Sequence, residues 1–82
     1  MDIPLIHEQF SSSEALDMVT RFVHLNIRFY EEKLAREADP ARIEAHRQRI
    51  RDLQKYLYQT GQTLAQRAEP VTLQAALNIK TA

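Results

Sequence analysis

Two long stretches without a helix breaker dominate this sequence, because its prolines stand near its ends and in its middle. The prolines are Pro4, Pro40 and Pro70. Proline disrupts a helix interior because it lacks the backbone N–H and clashes with the preceding turn. The spacing predicts one helix over residues 12–38 and a second over residues 40–68. The single glycine, Gly61, lies inside the second helix and leaves two alternatives open, a kink there or an early helix end.

Helix-start signals stand at the beginning of both stretches. Ser11 is followed three residues later by Glu14, which is the pattern of a capping box. Asp39 precedes Pro40, and an Asp N-cap followed by proline at the first helical position is a common way to begin a helix. A connection this short forces the two helices to lie antiparallel. We therefore predict an all-α fold built on an antiparallel helical hairpin.

The length of 82 residues allows a single domain, residues 1–82, with a thin core. Surface scaling at this size buries only about 63% of the chain's surface, and there is no cysteine to reinforce it. Residues 1–10 are predicted to form an extended arm, since the apolar Ile3, Leu5 and Ile6 surround a proline. Residues 70–82 are predicted to form a tail with a short amphipathic helical segment, which either packs on the hairpin or docks on a partner.

Helix one carries more apolar surface than a hairpin can cover. Helix two has one apolar seam, whereas helix one has two, and each seam repeats at spacings of three and four residues. The second seam contains Met18, Phe22, Leu25 and Phe29. The terminal arms, a second copy or a different protein could cover this seam. We predict a homodimer that forms a four-helix bundle, because self-association is a common solution for helical hairpins.

A basic strip on helix two is the other candidate surface. Residues 42–55 carry a local charge of plus three, and the members that share one outer face are Arg47, Arg51, Lys55 and Tyr58. Basic side chains with an interleaved aromatic ring can hold a nucleic-acid backbone and stack a base. The chain as a whole is neutral, however, and a nucleic-acid-binding domain is usually basic. An ordinary solvated helix face is therefore the favoured interpretation.

The sequence offers no basis for catalytic, cofactor-binding or metal-binding residues. Without cysteine a nucleophile would have to be Ser or Thr, and the serines at 11–13 are explained by helix capping. His46 interrupts an apolar seam and is interpreted as a side chain hydrogen-bonded across the bundle, to Tyr30 or an acidic residue. Neither Glu-x-x-His nor His-Glu-x-x-His occurs. The chain also lacks an apolar run of membrane-spanning length. We expect a non-enzymatic, cytoplasmic protein without a cofactor.

These observations predict a small protein-interaction module that acts through the second seam of helix one. It would be an adaptor, chaperone-like or regulatory protein with a larger protein partner. The alternative is a regulator that binds nucleic acid through the basic face of helix two, and a structural subunit of a larger assembly ranks third. The sequence contains no motif of a known family.

Overall fold

The computed structural model describes residues 1–68 and 70–81 and contains two helices and two strands. In chain order these are β1 (Asp2–Phe10), α1 (Ser12–Arg36), α2 (Pro40–Ala65) and β2 (Val71–Asn78). Glu69, which stands between the predicted second helix and the predicted tail, and Ala82, the last residue of that tail, lie outside the described residues. The predicted hairpin is present, but its helices end two and three residues earlier than expected.

Both predicted helix starts are confirmed. The Ser11 hydroxyl accepts a hydrogen bond from the backbone N–H of Glu14 at 3.1 Å, and the Glu14 carboxylate accepts one from the backbone N–H of Ser11 at 3.1 Å. Together these bonds form a complete capping box. The Asp39 carboxylate accepts a hydrogen bond from the N–H of Ala41, with Pro40 in the first helical position. Three residues, 37–39, join the two helices.

The prediction of an all-α fold is wrong, because the two ends of the chain form a two-stranded antiparallel sheet. We call this pair of strands the ribbon. Phe10 lies opposite Val71 and Asp2 lies opposite Asn78, with one irregularity of register between Pro4 and Ile6 that leaves Leu5 as a bulge. Beyond the strand ends, Met1 and Ile79 exchange two backbone hydrogen bonds of 3.0 and 2.7 Å. The fold is therefore α+β.

The error has a physical reason, since each strand depends on a partner about seventy residues away along the chain. Residues 71–77 contain good helix formers, and a local reading allowed two helical turns. A ladder of backbone hydrogen bonds with a distant segment outweighs such a weak local preference. One local sign of a strand was present in residues 71–77. Every second residue is apolar, and the three residues between them are exposed, as in a strand with one covered face; the apolar residues are Val71, Leu73, Ala75 and Leu77.

Helix α1 is the central element of the fold. It packs on α2 through one face and on the ribbon through another, while α2 and the strands make no direct contact within the described ranges. The buried apolar side chains of this part of the chain are those of Ala15, Leu53 and Leu64. The predicted four-helix bundle is also wrong, because the ribbon lies along the seam of α1 that was expected to face two further helices.

Helix α2 continues through Gly61 and ends at Ala65, so it does not end at the glycine, although it is three residues shorter than predicted. Gly61 does not have a positive φ angle, and a Cβ added there would meet the nearest Leu16 side-chain carbon at 3.8 Å, an ordinary van der Waals distance.

We expect Gly61→Ala to raise the free energy of unfolding by about 0.5–1 kcal/mol, because alanine loses less backbone entropy than glycine in a helix. The matched control is Ala45→Gly, at an exposed position of the same helix, which should lower it by a similar amount. Urea denaturation followed by circular dichroism measures both. A loss of stability in Gly61→Ala would show that the helix needs glycine there.

Candidate interaction surface

The second seam of α1 and the ribbon together form an apolar groove. The chain turns at Ser11, and both strands lie back alongside α1. The groove has a volume of about 520 Å³ and is lined by Leu5, Phe22, Leu25, Asn26, Phe29 and Leu77. Leu5 comes from the bulge of β1 and Leu77 from the end of β2, while the other four residues come from α1.

The apolar lining of this groove is poorly covered by the chain itself. Leu25 is 66% exposed and Phe29 is 52% exposed, and on the ribbon side Leu77 is 51% exposed. Leaving large apolar side chains in water costs about 1.5–3 kcal/mol for each one that could be fully buried. The groove is thus an energetically unfavourable surface unless another molecule covers it.

The apolar surface continues to the open end of the ribbon. Ile3 pairs with Leu77 in the ladder, Met1 pairs with Ile79, and all four of these side chains are exposed. Most of the exposed large apolar side chains identified in the protein therefore belong to the groove or to this end of the ribbon. A contiguous patch of this kind, unlike scattered single residues, is typical of an interaction surface.

The polar groups around the groove are positioned by α1. The Asn26 amide donates a hydrogen bond of 2.8 Å to the Phe22 carbonyl oxygen one turn earlier, so this polar group is engaged within its own helix. The Lys33 ammonium lies 5.1 Å from the centre of the Phe29 ring, and Tyr30 meets the same ring edge-on at 5.7 Å between centroids. These contacts fix the orientation of Phe29 while leaving half of it accessible.

The total exposed area of the chain is large for its size. The protein exposes 6657 Å², whereas a compact monomer of 9.6 kDa exposes about 5,100 Å². The excess of about 1,600 Å² is twice the roughly 800 Å² that each partner contributes to a standard protein–protein interface. An exposed area of this size is compatible with a large protein–protein interface.

The four seam residues predicted from the sequence do not share one environment. Met18 and Phe22 are half-buried, whereas Leu25 and Phe29 are exposed. Sequence reasoning missed Leu5 and Leu77, which complete the groove from the ribbon side. The alternation of apolar residues along residues 71–77 was the available signal for Leu77, but nothing local indicated that a bulge would direct Leu5 toward α1.

The basic face of α2 is present as a row of exposed side chains but is partly neutralised. Arg51 donates hydrogen bonds of 2.8 Å to Glu44 and to Gln48, one turn or two away on the same helix. Arg47, Lys55 and Tyr58 are exposed. The Arg51–Glu44 pair engages one of the three basic side chains of this face, and Glu44 is already subtracted in the local charge of plus three.

A second concavity, of about 490 Å³, lies where the two helices join. It is open and is lined by Lys33, Arg36, Glu37, Arg42 and His46. His46 is half-buried, and its ring centre lies 5.7 Å from that of Tyr30, so it meets this predicted neighbour through a ring–ring contact. Within residues 1–68 and 70–81, no three His, Asp or Glu side chains are grouped as metal ligands would be. Neither helix, over the same residues, has an apolar segment that could cross a bilayer.

We compared the chain with protein-family models, with curated proteins and with solved structures. None of them matches.

Proposed function

We propose that the protein is a small non-enzymatic protein-interaction module that works as a homodimer, with the apolar groove closed by the second copy. The observation that carries this proposal is the gathering of exposed apolar side chains at one place, where Leu25 and Phe29 of α1 face Leu5 and Leu77 of the ribbon. Hydrophobic burial is the main driving force of association, and it is proportional to the apolar area removed from water.

The size of the exposed surface supports a second copy as the occupant. A bound peptide or a single partner helix would cover the groove alone, whereas exposed apolar side chains continue from the groove to Met1, Ile3 and Ile79, and the excess of total exposed area is about 1,600 Å². Interfaces of obligate homodimers bury about 2,000–5,000 Å² in total. Two copies that each bury about 1,600 Å² fall within this range. A two-fold dimer also brings the same patch of each copy to the interface.

The other sequence-based expectations stay predictions. These are the larger protein partner, the cytoplasmic location and the absence of catalysis. Binding of nucleic acid by α2 also stays a prediction, and the engagement of Arg51 by Glu44 makes it the weaker one.

We expect the purified full-length chain to sediment as a dimer at tens of micromolar. A photo-crosslinking side chain then locates the interface: Phe29→benzoylphenylalanine should give a covalent dimer on irradiation, because Phe29 borders the groove. The matched control is Tyr58→benzoylphenylalanine, which places the same group at a more exposed aromatic position on α2 and should give little product. A protein that stays monomeric over this concentration range would contradict the proposal.

A further inference from the structure

The ribbon has two outer edges. The hydrogen bonds at its end show which backbone N–H and C=O groups point outward along each edge. Met1 and Ile79 exchange both of their backbone hydrogen bonds, so they form a hydrogen-bonded pair. In an antiparallel ladder such pairs alternate with pairs whose N–H and C=O groups point away from the partner strand. Along β2, residues 71, 73, 75 and 77 therefore bond to β1. The backbone groups of residues 72, 74, 76 and 78 point outward.

The outer edge of β1 is unsuited to pairing. By the same alternation Pro4 lies in a pair whose N–H would point outward, so the edge lacks a donor there. The bulge at Leu5 bends the strand next to it, and Asp2 and Glu8 add charge. Proline, bulges and charged residues are the features by which natural sheets prevent their edges from pairing with another strand.

The outer edge of β2 has none of these features. Its eight residues include no proline, glycine or charged side chain, and its ladder with β1 shows no irregularity on the β2 side. The outward N–H and C=O groups belong to Thr72, Gln74, Ala76 and Asn78. An uncharged, regular edge of this length is a template for another strand.

We infer that the β2 edge pairs antiparallel with β2 of a second copy, so that the dimer contains a four-stranded sheet in the order β1-β2-β2-β1. This inference rests on the proposed function, because it states how the second copy docks. The register that uses every outward group places Ala75 opposite its own counterpart. Residue 74 then exchanges hydrogen bonds with residue 76 of the other copy, and residue 72 with residue 78.

This register also accounts for apolar residues that the protomer leaves exposed. On the helix-facing side of the sheet, it places Leu77 opposite Leu73 of the second copy and Ile79 opposite Val71. Leu77 is 51% exposed and Ile79 is 48% exposed in the single chain, whereas Leu73 and Val71 are half-buried. On the other side, the uncharged Thr72 faces Asn78, so no like charges meet.

The same arrangement brings the two copies of α1 together. Neighbouring strands lie about 4.8 Å apart, so the two ribbons are displaced by about 9.6 Å. Packed helices lie 8–10 Å apart, which is the separation expected for two α1 helices that each lie on their own ribbon. Pairing of the edges and burial of the α1 seam are therefore geometrically compatible within one dimer.

A single cysteine tests the register directly, because the chain contains no other cysteine. Residues opposite one another in a pair without hydrogen bonds have Cα atoms about 4.5 Å apart, within the range for a disulfide. Ala75→Cys, treated with copper-phenanthroline as oxidant, should convert most of the protein to a disulfide-linked dimer. The control His7→Cys lies on β1, three strands from its counterpart, and should stay largely unlinked. A dimer in which Ala75→Cys also stays unlinked would overturn the inference.

A pair of proline variants tests the edge without a covalent bond. Gln74→Pro removes two intermolecular hydrogen bonds by symmetry and should raise the dimer dissociation constant at least about 30-fold. His7→Pro, at the residue directly opposite in the ribbon, removes an outward N–H from the β1 edge and should leave the constant nearly unchanged. Circular dichroism verifies that both variants are folded.

The outcomes separate this inference from the proposed function. If the dimer dissociates with substitutions in the groove but tolerates Gln74→Pro, the edge inference is overturned and the proposed function is supported. A wild-type protein that is monomeric overturns both. Equal weakening by Gln74→Pro and His7→Pro would show an effect on the ribbon as a whole and would likewise overturn the assignment to the β2 edge.

Discussion

Replacing Leu25 and Phe29 together with aspartate is expected to convert the dimer into a folded monomer, with a dissociation constant raised about 10³-fold. Both side chains are more than half exposed in the single chain, so the protomer does not depend on them for its own core. Phe22 is a poorer choice for this test because it is half-buried, and a charge there would also destabilise the protomer.

The expected magnitude follows from the apolar surface that these residues still expose. Full burial of a large apolar side chain contributes about 1.5–3 kcal/mol. Leu25 and Phe29 each have half to two-thirds of their surface still available for burial. The four side chains of two copies therefore contribute about 4–7 kcal/mol to the free energy of dimerisation. A 10³-fold change in the dissociation constant corresponds to about 4 kcal/mol. Sedimentation velocity over a range of concentrations measures this change.

The matched control is the double variant Tyr56→Asp, Tyr58→Asp. It also replaces two large exposed side chains with aspartate, but on α2. This variant should remain a dimer. Far-ultraviolet circular dichroism should report similar helix content in both double variants. A Leu25→Asp, Phe29→Asp protein that is folded and still dimeric would refute the assignment of the groove to the interface.

Leu53→Ala is expected to lower the free energy of unfolding by about 2–5 kcal/mol, the usual range for removing a buried leucine side chain. Leu53 is one of three buried residues in the described part of the chain, together with Ala15 and Leu64. An 82-residue domain has a total stability of about 4–12 kcal/mol. Loss of Leu53 alone should therefore remove a large fraction of it, and the protein should be partly unfolded at physiological temperature.

Urea denaturation at a fixed protein concentration measures this loss, since the proposed dimerisation would make the apparent stability depend on concentration. Gln54→Ala, at the exposed neighbouring position of α2, is the control and should change the free energy of unfolding by less than about 0.5 kcal/mol. An equal, small effect of both substitutions would show that the hairpin is not held together by Leu53.

The two helices could be predicted because their signals are local. The Ser11 hydroxyl accepts from the N–H of Glu14, and the Asp39 carboxylate accepts from the N–H of Ala41. Each cap therefore bonds a free N–H group of the first helical turn from within three residues. The ends of the helices were predicted less well, since a helix end leaves carbonyl groups whose partners depend on the following chain. The excess of apolar surface on α1 was also readable, because it follows from spacing along one helix.

The candidate site was predicted only in part. Leu25 and Phe29 were identified correctly as exposed apolar residues, but the half-burial of Phe22 and the contributions of Leu5 and Leu77 were not foreseen. These three depend on where the ribbon lies against α1. The apolar spacing along one helix indicates which of its residues must pack against something. It does not indicate which other segment packs against them.

The sequence by itself thus determined the hairpin, its caps and the presence of an apolar surface in need of cover, because each depends on residues within a few turns of one another. Only the tertiary structure decided that the two ends of the chain pair as strands, that they lie on the second seam of α1, and that a β2 edge remains open. A β-ladder obtains its hydrogen bonds from a distant segment. Neither Asp2–Phe10 nor Val71–Asn78 contains enough local information to specify that partner.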